Sequence, residues 1–179
     1  MDLFIGIDPG KTGAIAAIDE HLKVLFMART PKTVVGMADL VRQVIQRGEA
    51  KLAALEHTQV MPGDGGVGMH NYGRQAGAWE GILAAFGVPL IQPYPVTWQV
   101  VLAAPRNLPG TLTREVNVRR AAAKARSLAS AQKLFGVELR RSQDGIADAL
   151  HLALWALHIH GMGLSTKTAS MSRKVRKIR

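Results

Sequence analysis

Hydrophobic and polar positions along the chain predict an α/β fold. Residues 3–8 (LFIGID) form an apolar run that ends in an acid and the turn pair Pro9-Gly10, which reads as a buried strand closing at Asp8. Residues 13–18 and 22–28 are two further strand-like runs, with Asp19, Glu20 and His21 between them as a hairpin turn. Residues 33–46 then place Met37, Leu40, Val41, Val44 and Ile45 at helical spacing, and Gly48 lies just past the end. Residues 52–55 are another buried strand, ending at Glu56. The glycine-rich stretch 62–68 (PGDGGVG) reads as a loop before a helix over 71–86. A strand at 88–91, a short helix at 96–102, a loop at 106–110 and helices at 113–135 and 143–160 complete the order. Three antiparallel strands followed by strands parallel to the first predict a mixed five-stranded sheet flanked by helices. In such sheets ligands gather outside the carboxyl ends of the strands, where Asp8 and Glu56 both fall.

Composition narrows the chemistry. There is no cysteine, which removes disulfides, zinc-thiolate sites and cysteine nucleophiles. Any metal must therefore be held by oxygen or imidazole. No run approaches roughly eighteen apolar residues, so no membrane contact is expected. The opening MDLFIGID lacks a basic leader region, and a cytoplasmic protein is expected. The formal net charge of +10 favours a polyanionic partner. Six of those cations (Lys167, Arg173, Lys174, Arg176, Lys177, Arg179) lie in residues 161–179 with no acid, and removing them leaves +4. Residues 1–160 thus read as one domain and 161–179 as a basic, disordered tail. A second basic stretch between Arg106 and Arg141 includes Arg114, Arg119, Arg120, Lys124, Arg126 and Lys133.

Four acids stand out. Asp8 and Glu56 each close a buried strand, where a lone charge is costly. Asp144 and Asp148 are four apart at the start of the last helix and so share a face. Brought together, they would be tolerable only around cations. Hydrolysis of a phosphodiester with two divalent ions roughly 3.5–4 Å apart needs such a set, and hard oxygen ligands suit Mg²⁺ or Mn²⁺. Singly, each acid has a plainer reading. Asp8 could be a turn residue before Pro-Gly, Glu56 a surface acid, Asp144 a partner of the helix dipole and Asp148 an exposed side chain. Among the histidines, His151 follows Asp148 by three and could assist protonation of a leaving group or simply lie under the sheet. His158 and His160 are too far along the helix to join the acids.

The segments that carry these acids resemble a known family. FIGIDPGKTGAIAAID resembles the opening motif of RuvC-type Holliday junction resolvases. EHTQVMPGDGGVGMHNYGRQAGAWEGIL resembles the second motif of their phage and prophage branch, and QDGIADALHLALWA the closing helix. The likeness runs in order over about residues 3–156. It implies an RNase H-like fold and a homodimer that makes paired cuts in a four-way DNA junction. It implies Asp8, Glu56, Asp144 and Asp148 as catalytic ligands of two Mg²⁺ ions, with Mn²⁺ able to substitute and no small-molecule cofactor. Lys124, within KARSLASAQKLF, matches a basic position that would contact phosphate. Arg74 could reach phosphate as well, and Arg119 and Arg120 belong to the same DNA-binding stretch. Where the branch often has an aromatic this chain has His70, so stacking on bases would fall to His70 or Tyr72. Where the family often has Trp-Lys it has Trp98-Gln99, and Trp98 reads as a packing residue.

Rival readings fit less well. Actin-like and sugar-kinase-like ATPases also open with a strand, an acid and a phosphate-contacting turn, but need two such domains. GIDPGKT has three residues between its glycines where the Walker motif needs four. A non-catalytic DNA-binding protein leaves the four acids without purpose. A less selective nuclease acting on forks, flaps or displaced loops remains open, since fold does not fix substrate.

Overall fold

Alternation along the first strand organises the molecule. Leu3, Ile5 and Ile7 point to one face of the sheet and Phe4, Gly6 and Asp8 to the other, so the strand has to be covered on both sides. The computed structural model describes residues 1–10, 12–57, 65–99 and 113–163, with the backbone alone for 113–120. The elements are β1 (Asp2–Asp8), β2 (Ala14–Ile18), β3 (Val24–Arg29), α1 (Val34–Ile45), β4 (Glu49–Leu55), α2 (Gly66–Ala85), β5 (Leu90–Ile91), α3 (Pro95–Trp98), α4 (Thr113–Phe135) and α5 (Asp144–Gly161). A 3-10 turn, Arg141–Gln143, leads into α5.

Among the described residues the five strands form one sheet in the order β3-β2-β1-β4-β5. β1 pairs antiparallel with β2, and β2 with β3; β4 runs parallel to β1, and β5 parallel to β4. This is the mixed sheet expected from the hydrophobic pattern. On one face α1 and α2 cover Leu3, Ile5, Ile7, Ile15 and Leu55 with Met37, Val41, Val44, Trp79 and Leu83. On the other, α5 lies directly over β1, β2 and β4. Thr33 caps α1, its hydroxyl accepting from the Gly36 N–H at 3.1 Å.

Element boundaries shift for local reasons. β3 begins at Val24 rather than residue 22. The Asp19 carboxylate accepts from the N–H groups of His21 and Lys23, and Leu22 takes a left-handed φ of 63° in that turn. Helix α2 begins at Gly66, inside the stretch expected to be a loop, and the Met69 N–H bonds the Gly65 carbonyl at 3.1 Å to close its first turn. Glycine lowers helix propensity by about 1 kcal/mol each without forbidding the conformation. The expected loops at 62–64 and 106–110, the end of the short helix at 100–102 and the basic tail beyond Gly163 lie outside the described residues. No described helix is long and apolar enough to cross a membrane.

Candidate active site

Strand register brings the first two acids side by side. Ile7 of β1 pairs with Leu55 of β4, and the Glu56 N–H donates to the Ile7 carbonyl at 3.0 Å. Asp8 and Glu56 are the next residues on each strand, and the alternation that sends Phe4, Gly6, Leu52 and Ala54 toward α5 sends both acids the same way.

Helix α5 supplies the other two. It packs so close to β1 that a Cβ built on Gly6 would lie 1.9 Å from the Ala149 carbonyl oxygen. At its first turn, a Cβ on Gly145 would lie 2.2 Å from the Thr12 carbonyl oxygen in the β1–β2 turn. Only glycine permits both approaches. They carry Asp144 and Asp148, one turn apart, over the carboxyl end of β1.

The four carboxylates repel one another in a place poor in water. Burial raises the Asp8 carboxyl above its ordinary value, the Gly10 N–H (2.9 Å from Oδ1) opposes the rise, and Asp144 adds to it. Burial, with Asp8 and Asp148 adding charge, pushes Glu56 up to about 8. This happens although Glu56 accepts from the Trp98 indole N–H at 3.1 Å and from the Tyr72 hydroxyl at 3.4 Å. Burial pushes Asp148 to about 7 against the pull of the Ser127 hydroxyl, with Asp8 and Asp144 raising it further. Lys124 Nζ, 2.5 Å from Asp144 Oδ2, supplies the one positive charge that Asp8 and Asp148 sense among the described residues. One exposed ammonium does not neutralise four acids.

The architecture around these acids has solved counterparts. No family model matches the sequence, and no curated protein does either. RuvC of T. thermophilus in complex with a Holliday junction substrate is similar in structure, with 20% identity, 92% of this chain and 98% of that chain covered, and a TM-score of 0.65. A second structure of Thermus thermophilus RuvC gives 18% identity, 90% and 97% coverage, and a TM-score of 0.64. The fold is the RuvC-like fold of the RNase H type.

The RuvC-like frame gathers the acids without closing a cage. Among the described residues, no three acid or histidine side chains stand close enough to grip one ion together. Each carboxylate is instead committed to a local partner: Asp8 to Gly10, Glu56 to Trp98 and Tyr72, Asp144 to Lys124, and Asp148 to Ser127. The donor set itself fits a hard divalent cation. It is all oxygen, rich in carboxylates, and set at the carboxyl ends of β1 and β4. Loading it would require the acids to close in and Asp144 to exchange its lysine for the ion.

The other expected site residues fall into three groups. Lys124 meets the acids directly. Tyr72 also does, its hydroxyl donating to Glu56 at 3.4 Å. Arg74 and His70 lie exposed on the first half of α2. Arg119 and Arg120 lie on α4, and their side chains are outside the described set. His151 does not reach the acids. Its ring is fully buried, its Nε2 stands 3.2 Å from the Ser127 carbonyl, and Phe135 packs against it, so it has no path to a leaving group. Trp98 is buried as a packing residue and also orients Glu56. Ser127, Gly6 and Gly145 had no signal in the sequence, because their partners lie far along the chain.

Proposed function

We propose that this chain is a structure-selective DNA endonuclease that resolves four-way junctions by divalent-cation-dependent phosphodiester hydrolysis. Asp8, Glu56, Asp144 and Asp148 are its cation ligands. The observation that carries the reading is the buried, mutually repelling set of carboxylates, which the one exposed lysine facing them among the described residues leaves uncompensated. The likeness of the fold to a RuvC that is seen with a Holliday junction substrate supports branched DNA as the substrate class. The +10 charge supports a polyanionic partner.

Two Mg²⁺ or Mn²⁺ ions bound by these acids would supply water activation and stabilisation of the leaving oxygen. The chain's own residues do the rest. Trp98 and Tyr72 hold Glu56 in one orientation from opposite oxygens. Ser127 holds one oxygen of Asp148. Lys124, once released from Asp144, has the reach and exposure to bind a non-bridging phosphate oxygen beside the cut. Arg74 and His70 on α2, and Arg119 and Arg120 on α4, bind flanking backbone, and His70 or Tyr72 stacks on an unpaired base. Paired cuts require two such sites, hence a homodimer of the phage-type branch acting in the cytoplasm.

The test is cleavage of a synthetic four-way junction, a fork, a flap and a linear duplex of the same sequence, in Mg²⁺, Mn²⁺ and EDTA. Symmetric nicking of the junction in either metal, with little duplex cutting, is expected. Preference for forks or flaps would assign a less selective nuclease, and no metal-dependent cutting of any substrate would leave only a basic DNA-binding protein.

A further inference from the structure

Helices α4 and α5 meet through three polar rungs. Lys124 Nζ lies 2.5 Å from Asp144 Oδ2, the Ser127 hydroxyl donates to Asp148 Oδ1 at 2.6 Å, and His151 Nε2 lies 3.2 Å from the Ser127 carbonyl. Lys124 and Ser127 are one turn apart on α4, as Asp144, Asp148 and His151 are on α5. A carbonyl oxygen only accepts, so Nε2 of His151 carries the proton and Nδ1 the lone pair. That Nδ1 is buried with no partner among the described residues.

This arrangement is unusual for a buried serine. A helical serine commonly bonds back to a carbonyl of its own helix. Here the hydroxyl leaves its helix for a carboxylate on another. The apolar hold on α4 is limited: from Ala121 to Phe135 the buried side chains are Ser127, Leu128 and Ala131, with the half-buried Phe135 packed on the core and on His151. With so few apolar contacts between Ala121 and Phe135, the polar rungs contribute to the register of α4 against α5. One of those rungs belongs to His151, a group that takes no other part in the chemistry.

We propose that Ser127 and His151 are positioning residues of the active site. The Ser127 hydroxyl fixes one oxygen of Asp148 and leaves Oδ2 to face the cation. His151 clamps the Ser127 carbonyl and so sets the register that keeps Lys124 over Asp144. This inference rests on the cation-site reading above and adds an outer layer to it. Partners of metal ligands, when removed, typically cost about 10–100-fold in metal affinity.

The experiment is Mn²⁺ binding to the full-length protein without DNA, read by electron paramagnetic resonance of free Mn²⁺, alongside junction binding in EDTA. Ser127→Ala is expected to raise the Mn²⁺ Kd about 10-fold or more, with EDTA junction binding unchanged, and Ser127→Thr, which keeps the hydroxyl, to restore most of the affinity. His151→Leu is expected to weaken Mn²⁺ in the same direction. His151→Gln, which can place a donor near the Nε2 position, is expected to recover it in part. Asp148→Asn is the control that separates the two claims. If Asp148→Asn loses Mn²⁺ while Ser127→Ala and His151→Leu keep wild-type affinity, the positioning roles are wrong and the cation site stands. Equal losses for Ser127→Ala and Ser127→Thr would assign the effect to packing and likewise overturn them. If Asp148→Asn binds Mn²⁺ as the wild type does, the cation site itself is wrong.

Discussion

The two faces of the sheet are built from different stock. The face under α1 and α2 is filled by Leu3, Ile5, Ile7, Val41, Val44, Leu55, Trp79 and Leu83, large side chains that keep the helices at ordinary distance. The face under α5 also buries Phe4, Leu52, Leu150 and Leu152, but where helix meets strand it has Ala14, Ala16 and Ala54 from the strands and Ala147, Ala149, Ala153 and Ala156 from the helix, with Gly6 at the closest approach. Large buried side chains stabilise both faces. Small residues on the second bring a helix backbone onto a strand backbone, and that proximity lets helix acids stand beside strand acids. The site geometry thereby depends on the α5 face, while both faces stabilise the fold, and substitutions should separate the two contributions.

The largest expected effect is on the face under α5. Gly6→Val would drive a side chain into the Ala149 carbonyl and Ala153 N–H of α5, which cannot move without unseating the helix. Loss of the cooperative thermal transition, or a fall exceeding about 4 kcal/mol, is expected from chemical denaturation. A Gly6→Val protein as stable as the wild type would contradict the close-packed account.

Next come the acids themselves. Glu56→Gln and Asp148→Asn should each reduce junction cleavage by at least about 10²–10³-fold, in line with losing one preorganised charged group from a catalytic site. In EDTA both should melt at or above the wild-type temperature, because each removes a buried repelling charge. Loss of activity together with a large drop in melting temperature would point to a structural role instead.

A pH series sharpens the same point. Glu56 and Asp148 are raised in the folded protein to about 8 and about 7, so the native state binds more protons than the unfolded chain. Their contribution is fully present below the unfolded carboxyl values and is lost as pH rises through the folded ones. Stability of the cation-free protein should therefore fall by on the order of a few kcal/mol between pH 6.5 and 8.5. His151 behaves oppositely. Burial lowers it to about 4, so its contribution is present above its unfolded value near 6.5 and lost as pH falls toward 4, outside that window. Added Mn²⁺ should raise the melting temperature more at pH 8.5 than at 6.5, and equal increments would argue against ion binding at these acids.

The smallest effect belongs to the face under α1 and α2. Ile5→Val should cost about 0.5–1.5 kcal/mol and leave cleavage unchanged, because Ile5 points away from the acids. A matching loss of cleavage would show that the two faces are not independent.

Much of this was legible in the chain. Apolar runs ending at Asp8 and Glu56 marked strand ends because burial on both faces leaves little choice of residue before them. The four-residue spacing of Asp144 and Asp148 marked a shared helical face. The close approach at Gly6 and Gly145 was not legible, since a glycine in a strand or first turn looks the same whether it is crowded or free. The partners of Glu56 and Asp148 escaped for a related reason. Trp98 and Ser127 lie 42 and 21 residues from the acids they touch, and no local period connects them. For His151 the spacing after Asp148 left open a role beside the acids or a place under the sheet, and its ring lies buried in the core.

The most direct measurement is anomalous diffraction from crystals soaked in Mn²⁺. The account predicts manganese peaks among Asp8, Glu56, Asp144 and Asp148, with Lys124 displaced from Asp144. Saturating Mn²⁺ with no peak among those four side chains would contradict it.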